Sequence, residues 1–273
     1  MTAPGNVDRP GVARALAYPY GRPPRSFLFS AGEATELTVE TMSAFSRQER
    51  QALTPVLAVG SNASPEQLRR KYGQAADVRI PVTLGWLSGA DIAYCAYMTG
   101  YGSVPATLFQ SAGVRVPLGI TWLPPHELSR MHGTEAVGTH TDFGAVRLDR
   151  LALSASLALP DAECPHEVFT YCSRLGLVAI NDEPVGLAEL GATGRTGLAL
   201  TQQQLQRRVR RWSEAQHLAF AQVASGEAGK RPDFAQWVSN NVRQQSLRDQ
   251  VTSLLQASRI ERPIQDFEIR EIA

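Results

Sequence analysis

Lysine and cysteine are the residues that this chain has least of. Lys71 and Lys230 are the two lysines among 27 basic residues, so arginine carries nearly all of the positive charge. Cys95, Cys164 and Cys172 are odd in number and include no CxxC pair, which argues against a disulfide framework and against a thiolate zinc site. We therefore expect all three cysteines to be small core or half-buried residues.

Long apolar runs and a marked excess of one charge are also missing. The chain has no apolar run long enough to predict a membrane span. Residues 1–25 contain prolines and arginines but none of the apolar stretch that a signal peptide needs. The formal net charge of +1 gives no general attraction to nucleic acid or to an acidic membrane. We expect a cytoplasmic protein with neither of these partners.

The composition is that of a globular protein large enough to bury a sizeable core, with 273 residues, 43% hydrophobic and 19% charged. Changes in pattern divide the chain into three segments. Residues 1–50 are predicted to be an N-terminal lead with a short helix, residues 51–200 the main domain, and residues 201–273 a C-terminal helical extension.

The lead is predicted to be flexible over residues 1–33, because its five prolines would interrupt a helix. Four aromatic side chains are expected to dock parts of it on the core: Tyr18, Tyr20, Phe27 and Phe29. Residues 34–51 are predicted to form a short helix, in which Ser46 and Glu49 have the spacing of a capping box.

Short β-rich runs dominate the main domain. The predicted strands are residues 55–59, 78–87, 90–98, 105–110, 115–123, 143–149, 151–159, 167–173 and 177–181. Residues 181–184 have the composition of a turn. Many strands with few helices between them indicate an α+β fold built on a barrel or a strongly curved sheet rather than a doubly wound sheet.

Helices are signalled at two places. Ser64, Pro65 and Gln67 read as an N-cap, a first helical residue and the third position of a capping box, and Gly73 reads as the stop. In the C-terminal extension, Thr201 and Gln204 form a second capping-box pattern. A first apolar stripe follows at Leu205, Val209, Trp212, Phe220 and Val223, and a second, after a break at residues 226–232, at Phe234, Val238, Val242, Val251 and Leu254. The two helices are expected to pack on each other and on the barrel.

Two segments carry residues suited to amide chemistry. The strand at 55–59 breaks into Gly60, Ser61 and Asn62 just before a helix, so successive backbone N–H groups can bind a carboxylate or an oxyanion. Glu135 lies in a short turn beyond the apolar strand at 115–123, where a carboxylate can act as a base and then as an acid. Taken alone, each feature has a purely structural alternative: a tight connection for the loop and a solvated turn for the glutamate.

The order of these segments resembles that of the γ-glutamylcyclotransferases over roughly residues 55–175. The matching motifs are Gly-Ser-Asn at 60–62, Ala-Thr-Leu-Phe-Gln-Ser at 106–111, Leu-Gly-Ile-Thr-Trp at 118–122 and Met-His-Gly-Thr-Glu-Ala-Val at 131–137. The resemblance implies a compact mixed β-barrel with rim helices, to which this chain adds a C-terminal helical pair. The lead and the C-terminal helices are not covered by it.

The resemblance also implies a reaction without a cofactor. The α-amine of a γ-glutamyl group attacks its own γ-carbonyl, so that 5-oxoproline and an amine are released from a small-molecule substrate. Glu135 is implied as the general acid and base, and the substrate-binding residues are implied to be Val59, Gly60, Ser61, Asn62, Ala63 and Tyr171. No metal, water or nucleotide takes part.

Several positions depart from the family pattern. Val59 replaces the usual tyrosine before Gly-Ser-Asn, His132 replaces the aspartate three residues before the glutamate, and Ala136 replaces the following glycine. The tyrosine expected after the glutamate is missing, and Tyr171 is the nearest substitute for its phenol. These departures leave two alternatives open: the same base acting on another acyl or amino-acyl amide, as in tailoring of a specialised metabolite, or a non-catalytic small-molecule binding module.

Other reactive residues are assigned structural roles. His132 and His140 flank Glu135, but their spacing matches no standard zinc motif. Ser61 lacks the Gly-x-Ser-x-Gly context of a nucleophile. The basic clusters at 69–71 and 207–211 are expected to be solvated helix faces.

Overall fold

The computed structural model describes residues 7–147, 152–155, 167–216, 232–261, 264 and 267–270. Within these ranges, eight α-helices and a large mixed sheet form an α+β fold, which confirms the predicted class. None of the helices in the described parts of the chain combines the length and the apolar character that crossing a bilayer requires.

The described strands are β1 Phe27–Ser30, β2 Glu33–Glu36, β3 Thr54–Ala58, β4 Arg79–Tyr94, β5 Ala106–Leu123, β6 Thr141–Arg147, β7 Ala152–Ala155, β8 Glu167–Ser173, β9 Leu177–Ile180, β10 Glu183–Pro184, β11 Gly186–Leu187, β12 Ala199–Leu200, β13 Arg259–Ile260 and β14 Glu268–Ile269. The described helices are α1 Arg9–Leu16, α2 Val39–Ser43, α3 Arg47–Gln51, α4 Pro65–Tyr72, α5 Pro125–Thr134, α6 Gln202–Ala215, α7 Phe234–Arg243 and α8 Gln245–Ala257. A 3-10 turn covers Ser61–Ala63.

A long antiparallel pair, β4 and β5, forms the centre of the sheet. The sequence predicts four strands here, but the structure has two. Gly89, at φ 89°, sits in a bulge between Ser88 and Ala90 and lets β4 continue past the irregularity. Residues 111–114, which lie between two predicted strands, fall within β5 but have no partner in the register with β4.

The order of the sheet is β12-β11-β4-β5-β3-β8-β6-β14. Strands β1 and β7 also pair with β4, and β2 extends β1. The path is open: within the described residues no pairing joins its two ends. The pairing of β3 with β8 is parallel, whereas β3 is antiparallel to β5, so the sheet is mixed.

The prediction of a flexible lead is wrong for the described residues 7–33. Pro10 lies in the first turn of α1, where a missing N–H costs nothing, so a helix forms there. Strand β1 pairs with β4 of the main sheet. The four aromatic residues of the lead are buried, as expected. The predicted helix at 34–51 is instead β2 followed by α2 and α3, and the capping box of Ser46 and Glu49 is present.

Helix α4 begins and ends where the sequence predicts, with Pro65 at its start and Gly73 at φ 69° after its end. The predicted capping box is wrong. The Ser64 side chain makes no capping hydrogen bond, and its Oγ is buried without a partner among the described residues. Gln67 does not reach back to Ser64, because its side chain turns toward a pocket that it helps to line.

The C-terminal extension holds three described helices rather than two. Thr201 and Gln204 form the predicted capping box of α6. The second predicted helix is divided at Gln244, whose backbone is extended, into α7 and α8. The three helices contact one another, and α7 packs on α1. Phe220 and Val223 of the first apolar stripe lie outside the described residues.

The remaining predictions concern shorter elements. Strands β6, β8 and β9 are confirmed within two residues, and the part of the strand predicted at 151–159 that is described is β7. Asn181 and Asp182, both at positive φ, make the turn between β9 and β10. Cys95 is buried and Cys172 half-buried, both as free thiols. Cys164 lies outside the described residues.

Candidate functional site

A pocket of about 340 Å³ lies where the connection from β3 to α4 meets the end of α5. The loop after β3 supplies Val59, Gly60, Ser61 and Asn62 to its lining, and the end of α5 supplies Glu135. These residues are far apart in the sequence. They converge because β3 pairs with β5 and α5 directly follows β5.

Glu135 is the residue at the C-terminal end of α5. The next residue, Ala136, has φ 50°, so the chain reverses here and leaves the glutamate side chain at the pocket. Thr141 Oγ1 donates to the Glu135 carbonyl over 2.6 Å. Asn62 Nδ2 donates to Glu135 Oε1 over 3.1 Å. The carboxylate and the loop are therefore in direct contact, and the glutamate side chain is 20% exposed.

Lys71 also binds the Glu135 carboxylate. Its Nζ forms an ion pair with Glu135 Oε1 and contacts Met131 Sδ at 2.9 Å. The lysine side chain is only 5% exposed, so the prediction of a solvated face is wrong for this residue, although Arg69 and Arg70 are exposed. The ion pair therefore joins a near-buried ammonium group to the Glu135 carboxylate.

The sequence does contain a pattern that indicates a buried position for Lys71. It lies three residues after Leu68 and four after Gln67, and residues at those spacings share one face of a helix. Leu68 and Gln67 are both buried. Reading α4 by its periodicity, rather than by its run of basic residues, would have placed Lys71 on the inner face.

Gly60 is required by the close approach of Tyr18. A Cβ at Gly60 would overlap the hydroxyl oxygen of Tyr18 and lie 3.1 Å from its Cζ. The Tyr18 hydroxyl accepts a hydrogen bond from the Ala106 N–H over 2.9 Å. Tyr18 lines the pocket and comes from the lead, so it brings a phenol to the loop where Val59 has none.

Six of the seven predicted site residues line the pocket: Val59, Gly60, Ser61, Asn62, Glu135 and Tyr171. Ala63 does not. Its side chain is fully buried in the core, beside Gly119 of β5, where a Cβ would come within 2.8 Å of the alanine methyl. The position after Asn62 therefore serves packing of the loop on the sheet.

An aromatic wall, which we define as Tyr18, Tyr97, Tyr101, Tyr171 and His140, lines much of the rest of the pocket. The rings of Tyr97 and His140 stack with centroids 4.7 Å apart. Burial raises the pKa of all four phenols, to about 12 for Tyr101 and further for Tyr97 and Tyr171. The four tyrosines are therefore neutral at physiological pH.

His132 lies behind this wall and is not part of the pocket lining. Its Nδ1 shares a hydrogen bond of 2.9 Å with the Tyr171 hydroxyl. Burial lowers the pKa of His132, partly opposed by the negative charge of Glu135. His132, His140 and Glu135 do not form a ligand set, since the described residues contain no group of three His, Cys, Asp or Glu side chains able to hold a metal.

Gln67 adds an unfilled hydrogen-bond acceptor. It is 8% exposed and lines the pocket, and its Oε1 has no partner among the described residues. A buried acceptor without a donor is costly.

Comparison of the sequence with protein-family models and with curated proteins finds no match to either. Function must therefore be inferred from the residues of the pocket. These combine one carboxylate, one ammonium, two amide side chains and neutral phenols around a cavity of small-molecule size.

Proposed function

We propose that this protein is a γ-glutamylcyclotransferase-like enzyme that converts a γ-glutamyl amide into 5-oxoproline and a free amine without a cofactor. The compact barrel with rim helices that the sequence resemblance implies is part of the same proposal. The main observation in support of this reaction is the contact of Glu135 with both Asn62 and Lys71 inside the pocket. Such an arrangement is expected if a base and a polar loop act on one substrate group.

In the proposed reaction, the Glu135 carboxylate takes a proton from the α-ammonium of the substrate. The freed amine attacks the γ-carbon, and a new C–N bond closes the five-membered lactam. A proton returns to the leaving nitrogen as the old C–N bond breaks. The second proton lost by the nucleophile also leaves with the amine, which departs as an ammonium ion. No atom of water enters either product.

The neighbours of Glu135 suit this sequence of steps. Lys71 and Asn62 hold the Glu135 carboxylate at a fixed position. Because the reaction is intramolecular, the enzyme accelerates it mainly by positioning the base and the folded substrate. The N–H groups at the start of the 3-10 turn suit the glutamyl carboxylate or the developing oxyanion.

The test is to incubate the purified protein with a panel of γ-glutamyl amides and to measure 5-oxoproline by mass spectrometry. We expect release by the wild type and a loss of about 10²–10⁴-fold in the Glu135→Gln variant, because the base is removed and the shape is kept. Glu66→Gln is the matched control, since Glu66 is an exposed glutamate on α4.

Three outcomes separate the candidates. Release of 5-oxoproline that depends on Glu135 supports the cyclising reaction. Turnover of another acyl or amino-acyl amide that depends on Glu135, with no 5-oxoproline from the γ-glutamyl panel, supports the alternative substrate, which the replacements at Val59 and His132 motivate. Binding in a thermal-shift screen without turnover of any bound compound supports a non-catalytic module. Full activity of Glu135→Gln contradicts the assignment of the base.

A further inference from the structure

Few charged side chains line the pocket. Among the described residues that line it, Lys71 is the one lysine or arginine and Glu135 is the one aspartate or glutamate. They face each other in one ion pair. A γ-glutamyl head group has one ammonium and one carboxylate, so this pair already matches the two charges of the head group.

The phenols of the aromatic wall supply no third charge. All four are neutral, as their raised pKa values require. A further cation, Arg14, lies against Tyr101, with its guanidinium carbon 4.5 Å from the centroid of the ring. Arg14 is not part of the pocket lining, whereas Tyr101 is. Tyr101 therefore contacts both the cavity and this arginine.

We propose that the pocket takes γ-glutamyl amides whose amine half is aromatic and carries no carboxylate. This inference rests on the proposed function and names its substrate class. A flat apolar group stacks well on phenol and imidazole rings. A carboxylate in the same place would lose water and gain no cation, which is unfavourable. Ordinary γ-glutamyl amino acids and peptides carry such a carboxylate.

A matched pair of substrates isolates the carboxylate. γ-Glutamyl-phenethylamide and γ-glutamyl-phenylalanine share the ring and the scissile bond and differ by the carboxylate. We expect kcat/KM for 5-oxoproline release to be at least about tenfold higher for the phenethylamide. The assay is run at pH 8, above the usual pKa of histidine, to keep imidazole charge out of the comparison. γ-Glutamyl-butylamide tests the ring, and we expect a lower kcat/KM than for the phenethylamide.

Tyr101→Ala provides an internal test, with Tyr101→Phe as its matched control. Removing the ring opens the cavity toward Arg14, so the preference for the phenethylamide over γ-glutamyl-phenylalanine should shrink at least threefold in Tyr101→Ala. Tyr101→Phe keeps the ring and should retain the wild-type ratio. The ratio is the readout, so a general loss of activity does not obscure it.

The outcomes distinguish this inference from the proposed function. If the wild type releases 5-oxoproline equally well from γ-glutamyl-phenylalanine, or if the ratio is unchanged in Tyr101→Ala, the charge argument is overturned while the cyclising reaction stands. Equal rates with the butylamide overturn the aromatic part. If no substrate yields 5-oxoproline, the proposed function fails and this inference fails with it.

Discussion

Glycine at position 60 is tied to a tyrosine that lies more than forty positions earlier in the chain. The space that a side chain would occupy at Gly60 is filled by the Tyr18 hydroxyl, which is held in place by the Ala106 N–H. A glycine that is usually explained by loop conformation is needed here for the close approach of an aromatic side chain.

We expect Gly60→Ala to lower the free energy of unfolding by about 1–3 kcal/mol, because the added methyl overlaps the Tyr18 hydroxyl. Tyr18→Phe should also lower the free energy of unfolding by about 1–3 kcal/mol, but for a different reason, because the Ala106 N–H loses its acceptor. The double variant should cost less than the sum, because the overlap is partly relieved. Urea unfolding of the four proteins measures this cycle.

A control glycine separates crowding from a general effect of alanine. Gly133 lies within α5, and a Cβ there would meet nothing within 4 Å. Gly133→Ala should therefore be neutral or stabilising, as alanine favours a helix. Strict additivity of Gly60→Ala and Tyr18→Phe would contradict the proposed contact.

At the residue scale, sequence patterns located the loop and Glu135 but not their neighbours. Tyr18 was expected to dock somewhere on the core, yet its partner could not be identified, because no periodicity links α1 to the loop after β3. The basic neighbours of Lys71 predict a solvent-exposed side chain. The spacing of Gln67 from Ser64 predicts a side chain that closes a capping box. Both side chains turn inward because α4 packs its inner face on the pocket.

At the scale of elements, two of the three predicted capping boxes, those of α4 and α6, differ in outcome. Thr201 accepts from the Gln204 N–H over 3.2 Å, and the Gln204 side chain accepts from the Thr201 N–H over 2.8 Å. Ser64 has the same predicted role in α4 but makes no such bond. The sequence is ambiguous here, because a glutamine at the third helical position can either close the box or point into the fold.

We expect Thr201→Ala to lower the free energy of unfolding by about 1 kcal/mol, the usual cost of losing an N-cap. Ser64→Ala should be neutral or slightly stabilising, because it removes a buried hydroxyl that has no partner in the described structure. Chemical unfolding of both variants makes the comparison. An equal loss in the two variants would show that Ser64 caps α4 in solution.

Strand boundaries were less predictable than strand existence. The breaks between the predicted strands fall at residues 88–89 and 111–114, which include Gly89 and Gly113, both at positive φ. Pairing between β4 and β5 continues past Gly89, and Gly113 lies within β5. Where a strand ends depends on the free energy of its pairing with a distant strand. A local sequence pattern carries no information about that pairing.

At the scale of the whole molecule, one hydrophobic cluster joins all three predicted segments. It contains Ala15 and Tyr18 from the lead, Leu118 from the main domain, and Val209 and Trp237 from the C-terminal helices. Strand β14 near the C-terminus also pairs with β6 of the sheet. Shared burial of this kind couples the unfolding of its parts.

We therefore expect a single cooperative unfolding transition. Trp86 and Trp122 lie in β4 and β5, whereas Trp212 and Trp237 lie in α6 and α7. A variant with phenylalanine at the first two positions reports on the helices by fluorescence, and a variant with phenylalanine at the other two reports on the sheet. In each variant the fluorescence midpoint should equal the circular dichroism midpoint. Two separated midpoints would instead support independent units.

The most direct test of the central claim follows oxygen during turnover. The wild-type protein is incubated with a γ-glutamyl amide in water enriched in oxygen-18, and the masses of the products are measured by mass spectrometry. Because the nucleophile is the substrate's own amine, we predict unlabelled 5-oxoproline, formed well above a protein-free control and lost in Glu135→Gln. Glutamate that carries oxygen-18, or equal 5-oxoproline from the Glu135→Gln variant, would contradict the account.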